Sequence, residues 1–551
     1  MVAAEHREIA PASLVNVVEL LRAHGAARPG LRAIDDKKTG RVRTFGELCR
    51  DIEETAAALR AAGLVPGDRV ALFVATGPEF VMVVYACLHA GLVPVLIDPG
   101  MGANSVLACV KEQAPKGLVG IAKAHALAAV FRGAFTSVMV RVLVGGSFFP
   151  GAKALDKLRK PGATCAVHPA GADALAVIVY TSGSTGAPKG VQNTHGVVAG
   201  RVEALRAMCG IEPGDIDVVG FPPFGLFSVA MGMCAVFPDM DFRSPAKADP
   251  KKILAAAQGA TSVTASPALF EPFSRFLVAS GTKLPGLKRM ITATGPVRPQ
   301  LQERLLQALP GGDVFTPYGA TEALPVALVA CRSGALAETG AATSAGQGNC
   351  VGHLVPGMHV KIVALTDEPI ATLREARELP QGEIGEIVVR GVCVAKSYDT
   401  GADPRGARAN ALAHVADPTG PEGFWHRMGD AGRLDATGRL WFCGRKGQRV
   451  DTAQGTLHSI PVEAQVEALW PERAALVGVG ERGSQRAVVI LESTKGTPRF
   501  DRAQMLEAVR ALPGCGAIND VLLHVGAFPV DRRHNVKIER EQLARWAATR
   551  L

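Results

Sequence analysis

An apolar run, Ala174 to Tyr180, breaks directly into Thr181-Ser182-Gly183-Ser184-Thr185-Gly186-Ala187-Pro188-Lys189-Gly190. The pattern predicts a buried strand that opens into a flexible, hydroxyl-rich loop. Four hydroxyls, three glycines and one ammonium within these ten residues suit a polyphosphate. Glycine lets backbone N–H groups approach phosphate oxygens closely, and the lysine adds charge. The loop is not a Walker A motif: Pro188 stands where that motif needs its second Gly, and Gly190 stands where Ser or Thr should follow the Lys. Taken alone, the decapeptide reads equally well as a Gly/Ser/Pro surface turn.

The surrounding chain favours a nucleotide-handling α/β fold. Thr44-Phe45-Gly46-Glu47-Leu48 leads into an amphipathic helix through Leu59, stopped by Gly63 and Pro66. Asp68 to Phe73 reads as a buried strand, Glu79 to Leu88 as a helix, and Val93 to Ile97 as another strand. Strands alternating with helices imply a parallel sheet covered on both faces. The alternation recurs from Ala174 to about Thr294, whereas Glu386-Ile387-Val388-Val389-Arg390 suggests antiparallel or barrel strands. A boundary is expected within Gly444 to Gly455. Beyond it come a helix near Val462–Leu469, strands at Ala474–Val479 and Ala487–Leu491, and a helix from Arg502 to Leu512.

Composition excludes several classes. The chain of 551 residues is 48% hydrophobic and 20% charged, which is ordinary globular composition. Its 60 Lys+Arg against 51 Asp+Glu leave +9, a mild bias toward anions without the aromatic-interleaved basic blocks of a nucleic-acid binder. The 11 cysteines are scattered singles without zinc spacing, as expected in a reducing compartment. Met1 to Arg7 lacks a basic n-region followed by an apolar h-region, so no secretory leader is expected, and Pro78, Glu79, His89 and Pro94 interrupt the most apolar window, which argues against a membrane span. A cytoplasmic protein is expected. His195 and His353 read as structural or surface histidines, and Cys393 and Cys443 as small buried hydrophobes.

Further short motifs follow in order: Thr294-Gly295-Pro296-Val297, Tyr318-Gly319-Ala320-Thr321-Glu322, Gly352-x-x-x-Pro356-Gly357, Gly382 to Ile387, Met428-Gly429-Asp430, Gly444-Arg445 and a late Lys537. Alone, Glu322 reads as a helix N-terminal carboxylate, Asp430 as a turn residue and Lys537 as a solvated charge. Together, in this order, they resemble the adenylate-forming superfamily of acyl-CoA synthetases, luciferases and peptide-synthetase adenylation domains. The resemblance implies an α/β fold: a large N-terminal domain, 1–445, with two parallel α/β sheets and a distorted β-barrel, and a small, mobile α+β C-terminal domain, 446–551, carrying Lys537.

The resemblance also implies ATP and Mg²⁺ as cofactors and assigns residue roles. Thr181, Ser182, Gly183, Ser184, Thr185, Gly186 and Lys189 would hold the β- and γ-phosphates. Tyr318 would lie on adenine with Gly295 and Pro296 nearby, Gly319 and Ala320 completing that wall. Thr321 would meet the α-phosphate and Glu322 the Mg²⁺, Asp430 would accept from both ribose hydroxyls, and Arg445 would donate to ribose or phosphate. Lys537 would be the catalytic cation bridging the carboxylate and the α-phosphate. Such chemistry must neutralise two anions and bring them into line.

Two segments depart from the acyl-CoA ligase pattern. Pro222-Pro223-Phe224-Gly225-Leu226-Phe227 has Gly225 where many ligases carry His at the acyl-pocket entrance, so Phe224, Gly225 and Phe227 are assigned to that pocket. The usual hinge is replaced by Gly444 to His458. These departures, with Phe528-Pro529-Val530-Asp531-Arg532-Arg533-His534-Asn535, are similar to the β-lactone synthetases of bacterial long-chain olefin biosynthesis. That likeness implies lipid metabolism, a 2-alkyl-3-hydroxy acid substrate, and assembly with other olefin-pathway enzymes. Two alternatives stay open: a long-chain acyl-CoA or acyl-AMP ligase, and an acyl- or nucleotide-binding protein without turnover.

Overall fold

The computed structural model describes residues 16–181, 188–295, 297–332, 336–399, 404–470, 472–494, 500–530 and 538–551. Helix Phe45–Ala61 begins where the sequence signals it. The Glu47 N–H donates to Thr44 Oγ1 at 3.2 Å and the Thr44 N–H to Glu47 Oε2 at 2.9 Å, a reciprocal capping box. Its buried Leu48, Ile52, Ala56 and Leu59 recur at helical spacing.

Two large sheets form the body of the molecule. The eight-stranded sheet runs from Ser397–Asp399 through Lys189–Thr194, Leu175–Thr181, Val93–Leu96, Arg69–Phe73, Gly117–Gly120 and Val140–Leu143 to Lys153–Ala154. All its pairings are parallel except the two made by Lys189–Thr194. The second sheet has 14 strands. Its parallel part comprises Arg32–Asp36, Cys234–Phe237, Ile216–Val219, Ser262–Ala265, Arg289–Thr292 and Asp313–Ala320. The antiparallel strands expected as a distorted barrel continue directly from it. The hairpin Asp313–Ala320/Ala323–Ala330 joins them to Asn349–Leu354, Leu440–Arg445, Phe424–Leu434, Gly385–Gly391 and Met358–Val363.

The predicted C-terminal elements are present within a few residues: helix Ser459–Leu469, strands Ala474–Val479 and Arg486–Ser493, and helix Arg502–Arg510; a further strand, Ile518–Val525, not expected from the sequence, pairs with Arg486–Ser493. Two apolar clusters, around Val450, Val466, Leu476 and Val521 and around Val477, Ile490, Phe528 and Leu543, take no buried residue from the earlier chain. Among the described residues no helix is long and apolar enough to cross a membrane.

One expectation needs correction. Strand Leu175–Thr181 is not buried throughout: Val177, Val179 and Thr181 are half-buried while Ala176, Ile178 and Tyr180 are enclosed. The reason is local, since the half-buried face borders a large cleft. Its period of two is that of a strand with one face packed and one face open.

Candidate active site

The cleft lies between the two sheets and the C-terminal elements and encloses about 2340 Å³. Thr181 and Lys189 line it and sit opposite each other in register, so the candidate phosphate segment connects two antiparallel strands. A Walker A loop instead runs from a strand into a helix, which agrees with the exclusion made from sequence. Ser182, Gly183, Ser184, Thr185 and Gly186 fall outside the described residues, as do Pro296 and Lys537. Ile538, next to Lys537 in the chain, lines the cleft.

Tyr318 to Glu322 occupy the tip of the hairpin Asp313–Ala320/Ala323–Ala330, so Glu322 is a turn residue and does not start a helix. Gly319 is required there, because a Cβ would stand 2.3 Å from the Ala323 carbonyl oxygen. The turn is held from behind by Arg201, a buried side chain on helix His195–Met208. Arg201 donates to the Thr321 carbonyl at 2.9 Å and the Cys393 carbonyl at 3.1 Å, and burial pushes its guanidinium down to about 10. The Glu322 carbonyl accepts from the Ala395 N–H at 2.7 Å.

Asp430 lies within strand Phe424–Leu434, not in a turn, directly opposite Arg445. Its carboxylate is only 3% exposed. Oδ2 accepts from the Tyr318 hydroxyl at 2.7 Å. Arg445 Nη1 stands 2.9 Å from Oδ1, yet no hydrogen bond of normal geometry reaches that oxygen. Burial raises the Asp430 carboxyl above its ordinary value, opposed by the Arg445 charge. Asp430 thus holds its carboxylate on the cleft wall between the Tyr318 hydroxyl and the Arg445 guanidinium. Thr294 and Gly295 also line the cleft. Thr294 holds φ at +84° with its buried hydroxyl unpartnered, a strained conformation of the kind that collects at functional sites.

Sequence reasoning missed three participants. Tyr398, on the short strand Ser397–Asp399, donates its hydroxyl to Glu322 Oε1 at 2.9 Å, and Lys189 Nζ stands 4.8 Å from its ring centroid. Arg201 was hidden because a lone arginine in an amphipathic helix reads as a polar face. Glu386, with Arg427 and Lys446, forms a buried ion cluster that spans the proposed domain boundary. Arg427 lies at 2.6 Å and Lys446 at 3.0 Å from the Glu386 carboxylate. His195 is buried and accepts the Val17 N–H, His353 is exposed, and Cys393 and Cys443 are buried, as expected.

An apolar limb opens from the same cleft along strand Leu175–Thr181. Val177 and Val179 face it, helix Pro78–His89 contributes Phe80, Val84 and Leu88, and helix His195–Met208 contributes Val198, Val202 and Leu205. Both helical sets follow a spacing of three or four, so each helix turns one apolar stripe inward. Phe224 and Phe227 lie alongside, their rings 5.7 Å apart. Gly225, expected in this pocket, points the other way. A Cβ there would meet Phe237 at 2.9 Å, so Gly225 lets its helix pack closely and does not face an acyl chain. Val17, 1% exposed, also lines the cleft. It is held by its N–H to His195 Nδ1 at 3.1 Å, while the Asn16 side chain donates to the carbonyls of Leu88 and His168.

Comparison with known proteins agrees with this layout. The family profile described as "AMP-binding enzyme" matches residues 21–399. The chain is 41% identical over 516 residues to an olefin beta-lactone synthetase of Stenotrophomonas maltophilia, covering 92% of this chain and 91% of that one. It is 40% identical to an olefin beta-lactone synthetase of Xanthomonas campestris over the same coverage. Among solved structures, ATP-bound MatB from Rhodopseudomonas palustris superposes with a TM-score of 0.77 at 22% identity, over 96% of this chain and 99% of that one. The amide bond synthetase McbA from Marinactinospora thermotolerans gives 0.78 at 21% identity, over 96% and 99%. At such identities the two structures establish the fold alone.

Proposed function

This chain belongs to the AMP-binding enzyme family, and on that footing we propose that it is an ATP-dependent β-lactone synthetase acting on a long-chain 2-alkyl-3-hydroxy acid. The observation that carries this reading is the 41% identity, spread over more than nine-tenths of each chain, to an olefin beta-lactone synthetase. The geometry supports it: one cleft joins a polar cradle at Thr181, Lys189, Glu322 and Asp430 to an apolar limb able to take an alkyl chain.

In the first step a substrate carboxylate oxygen attacks the α-phosphorus of ATP, the bond to the β-phosphate oxygen breaks, and pyrophosphate leaves. Asp430 Oδ1 accepts from the ribose and Tyr318 supports the base. Lys189 and the hydroxyls of the phosphate loop neutralise the β- and γ-phosphates. Lys537, delivered by the unit 446–551, bridges the carboxylate and the α-phosphate as charge develops. In the second step the substrate's own 3-hydroxyl oxygen attacks the activated carbonyl carbon and releases its proton to solvent. The acyl–phosphate bond then breaks, and AMP leaves with a four-membered lactone closed. Tethering raises the effective concentration of that hydroxyl, and no external acceptor is needed.

Glu322 would hold Mg²⁺. One carboxylate beside a phosphate loop fits an ion that uses one or two carboxylates and completes its shell with phosphate oxygens and water. Bound there, the ion would screen the phosphate charge. Tyr398 ties Glu322 to Lys189 and so fixes the carboxylate on the phosphate side of the cleft. The enzyme would work in the cytoplasm beside other olefin-pathway enzymes.

The test supplies ATP and Mg²⁺ with a 2-alkyl-3-hydroxy acid or a plain fatty acid, with and without CoA. The expected result is AMP, pyrophosphate and a product lighter than the hydroxy acid by one water, formed without CoA. The plain acid should stall as adenylate. A CoA thioester dominating with either acid would overturn the proposal in favour of an acyl-CoA ligase.

A further inference from the structure

The formal charge of +9 is unevenly placed. Residues 116–160 hold eight Lys or Arg and one acidic residue, Asp156, so this stretch alone carries +7. It builds the outer edge of the eight-stranded sheet, from Gly117–Gly120 through Val140–Leu143 to Lys153–Ala154, with helix Ala122–Val130 packed beside them. Lys116, Lys123, Arg132 and Lys153 are exposed there. Arg159 is occupied by Asp51 and Glu54 and does not belong to the free set.

The same edge carries the chain's most exposed bulky apolar groups. Among the described residues the three highest are Met139 at 79%, Phe148 at 76% and Val130 at 73%, and Phe131 adds 44%. Met139 adjoins Lys116, whose carbonyl accepts the Met139 N–H at 2.9 Å. Phe148 lies next to Phe149, whose ring stands 5.5 Å from His125 on helix Ala122–Val130. Met139 directly precedes strand Val140–Leu143, and Phe148 lies in the segment that joins this strand to Lys153–Ala154, so both flank the same edge strands. Single exposed apolar residues are commonplace. Here, however, the three most exposed coincide with most of the net charge.

We propose that the edge formed by residues 116–160 seats the protein peripherally on an anionic lipid bilayer. Met139, Phe148 and Val130–Phe131 enter the interfacial layer, while Lys116, Lys123, Arg132 and Lys153 meet the headgroups. Charge complementarity selects an anionic partner. The shape selects a bilayer over a peptide or folded protein: no residue of this edge lines the large cleft, and apolar side chains spaced along the edge suit a fluid surface. The proposal stands whatever the substrate. With a two-chain hydroxy acid, such seating would bring the enzyme to the phase where its substrate collects.

The test is sedimentation of the full-length protein with phosphatidylcholine vesicles, with and without phosphatidylglycerol, at low and high salt. Binding should require phosphatidylglycerol and weaken with salt. The pair Met139→Ser/Phe148→Ser and the pair Lys116→Glu/Lys123→Glu should each lower the partition coefficient by about tenfold or more. AMP formation from detergent-dispersed acid should be unchanged in both, which separates this test from that of the reaction. Equal binding to neutral vesicles, variants that bind like the parent protein, or failure to bind vesicles while binding soluble polyglutamate would each overturn it.

Discussion

Tyr398 donates a 2.9 Å hydrogen bond to Glu322 although 76 positions separate the two in the chain. The phenol is buried, and burial together with the Glu322 charge keeps it protonated and able only to donate toward that carboxylate. With Lys189 over the same ring, one aromatic side chain links Lys189 to the metal-binding candidate.

Tyr398→Phe removes that donor and keeps the ring. Adenylate formation should slow by about tenfold, the worth of one hydrogen bond to a charged group. The apparent Mg²⁺ requirement should rise, because Glu322 loses its fixed orientation. Pyrophosphate release measured across a Mg²⁺ titration checks this. An unchanged titration with normal turnover would remove Tyr398 from the site.

Asp430→Asn keeps the shape but withdraws the charge that faces Arg445 and one of the two carboxylate acceptors. KM for ATP should rise between about 10- and 100-fold, as expected for loss of charge-assisted hydrogen bonds to the ribose. KM for the acid should move much less. Steady-state kinetics with each substrate varied separately would show the split, and equal rises in both would point to general unfolding of the cleft.

What the sequence made legible, and what it hid, follows from contact distance along the chain. Tyr318 to Glu322 stand in one hairpin turn, so their joint use is written in five consecutive residues. Asp430 and Arg445 are cross-strand neighbours in a continuous hairpin. Tyr398 was invisible because its three-residue strand has no periodicity and gains meaning only by pairing with Lys189–Thr194. The joining of the parallel and antiparallel strands into one sheet depends likewise on the long-range pairing of Ala323–Ala330 with Asn349–Leu354. Gly225 was placed in the acyl pocket from its position between Phe224 and Phe227. A helix sends the intervening residue about 100° away, toward Phe237.

Acid should destabilise the protein earlier than carboxylate titration alone would. Burial pushes His195, His414 and His458 down to about 4 and His426 down to about 3. In the unfolded chain each titrates near its ordinary value of about 6.5. Below that value the unfolded state takes up protons that the folded state refuses. The stability is therefore complete above about pH 6.5 and lost progressively as pH falls toward 4 and 3, each group contributing on the order of 3 kcal/mol. Thermal midpoints measured from pH 7.5 downward should begin to fall near pH 6.5, and His414→Phe should flatten the first part of that fall. A constant midpoint down to pH 5 would sink the prediction.

Val17 should set the length of alkyl chain that the site accepts. Its buried side chain lines the cleft, and two polar anchors hold it in place: His195 Nδ1 behind its N–H, and the Asn16 side chain on the Leu88 and His168 carbonyls. Because burial keeps His195 neutral, that nitrogen stays an acceptor at ordinary pH. Val17→Ala opens space where the chain end would press. Each additional methylene accommodated there is worth about 0.8 kcal/mol, or roughly fourfold in kcat/KM. Val17→Phe should do the reverse, cutting turnover of the longest acids while leaving shorter ones close to the parent rate. The measurement is kcat/KM for a series of 2-alkyl-3-hydroxy acids of increasing length, with thermal midpoints to confirm that both variants stay folded. Opposite shifts of the optimum in the two variants would place the end of the acyl site at Val17. A length profile that moves in neither variant would place it elsewhere.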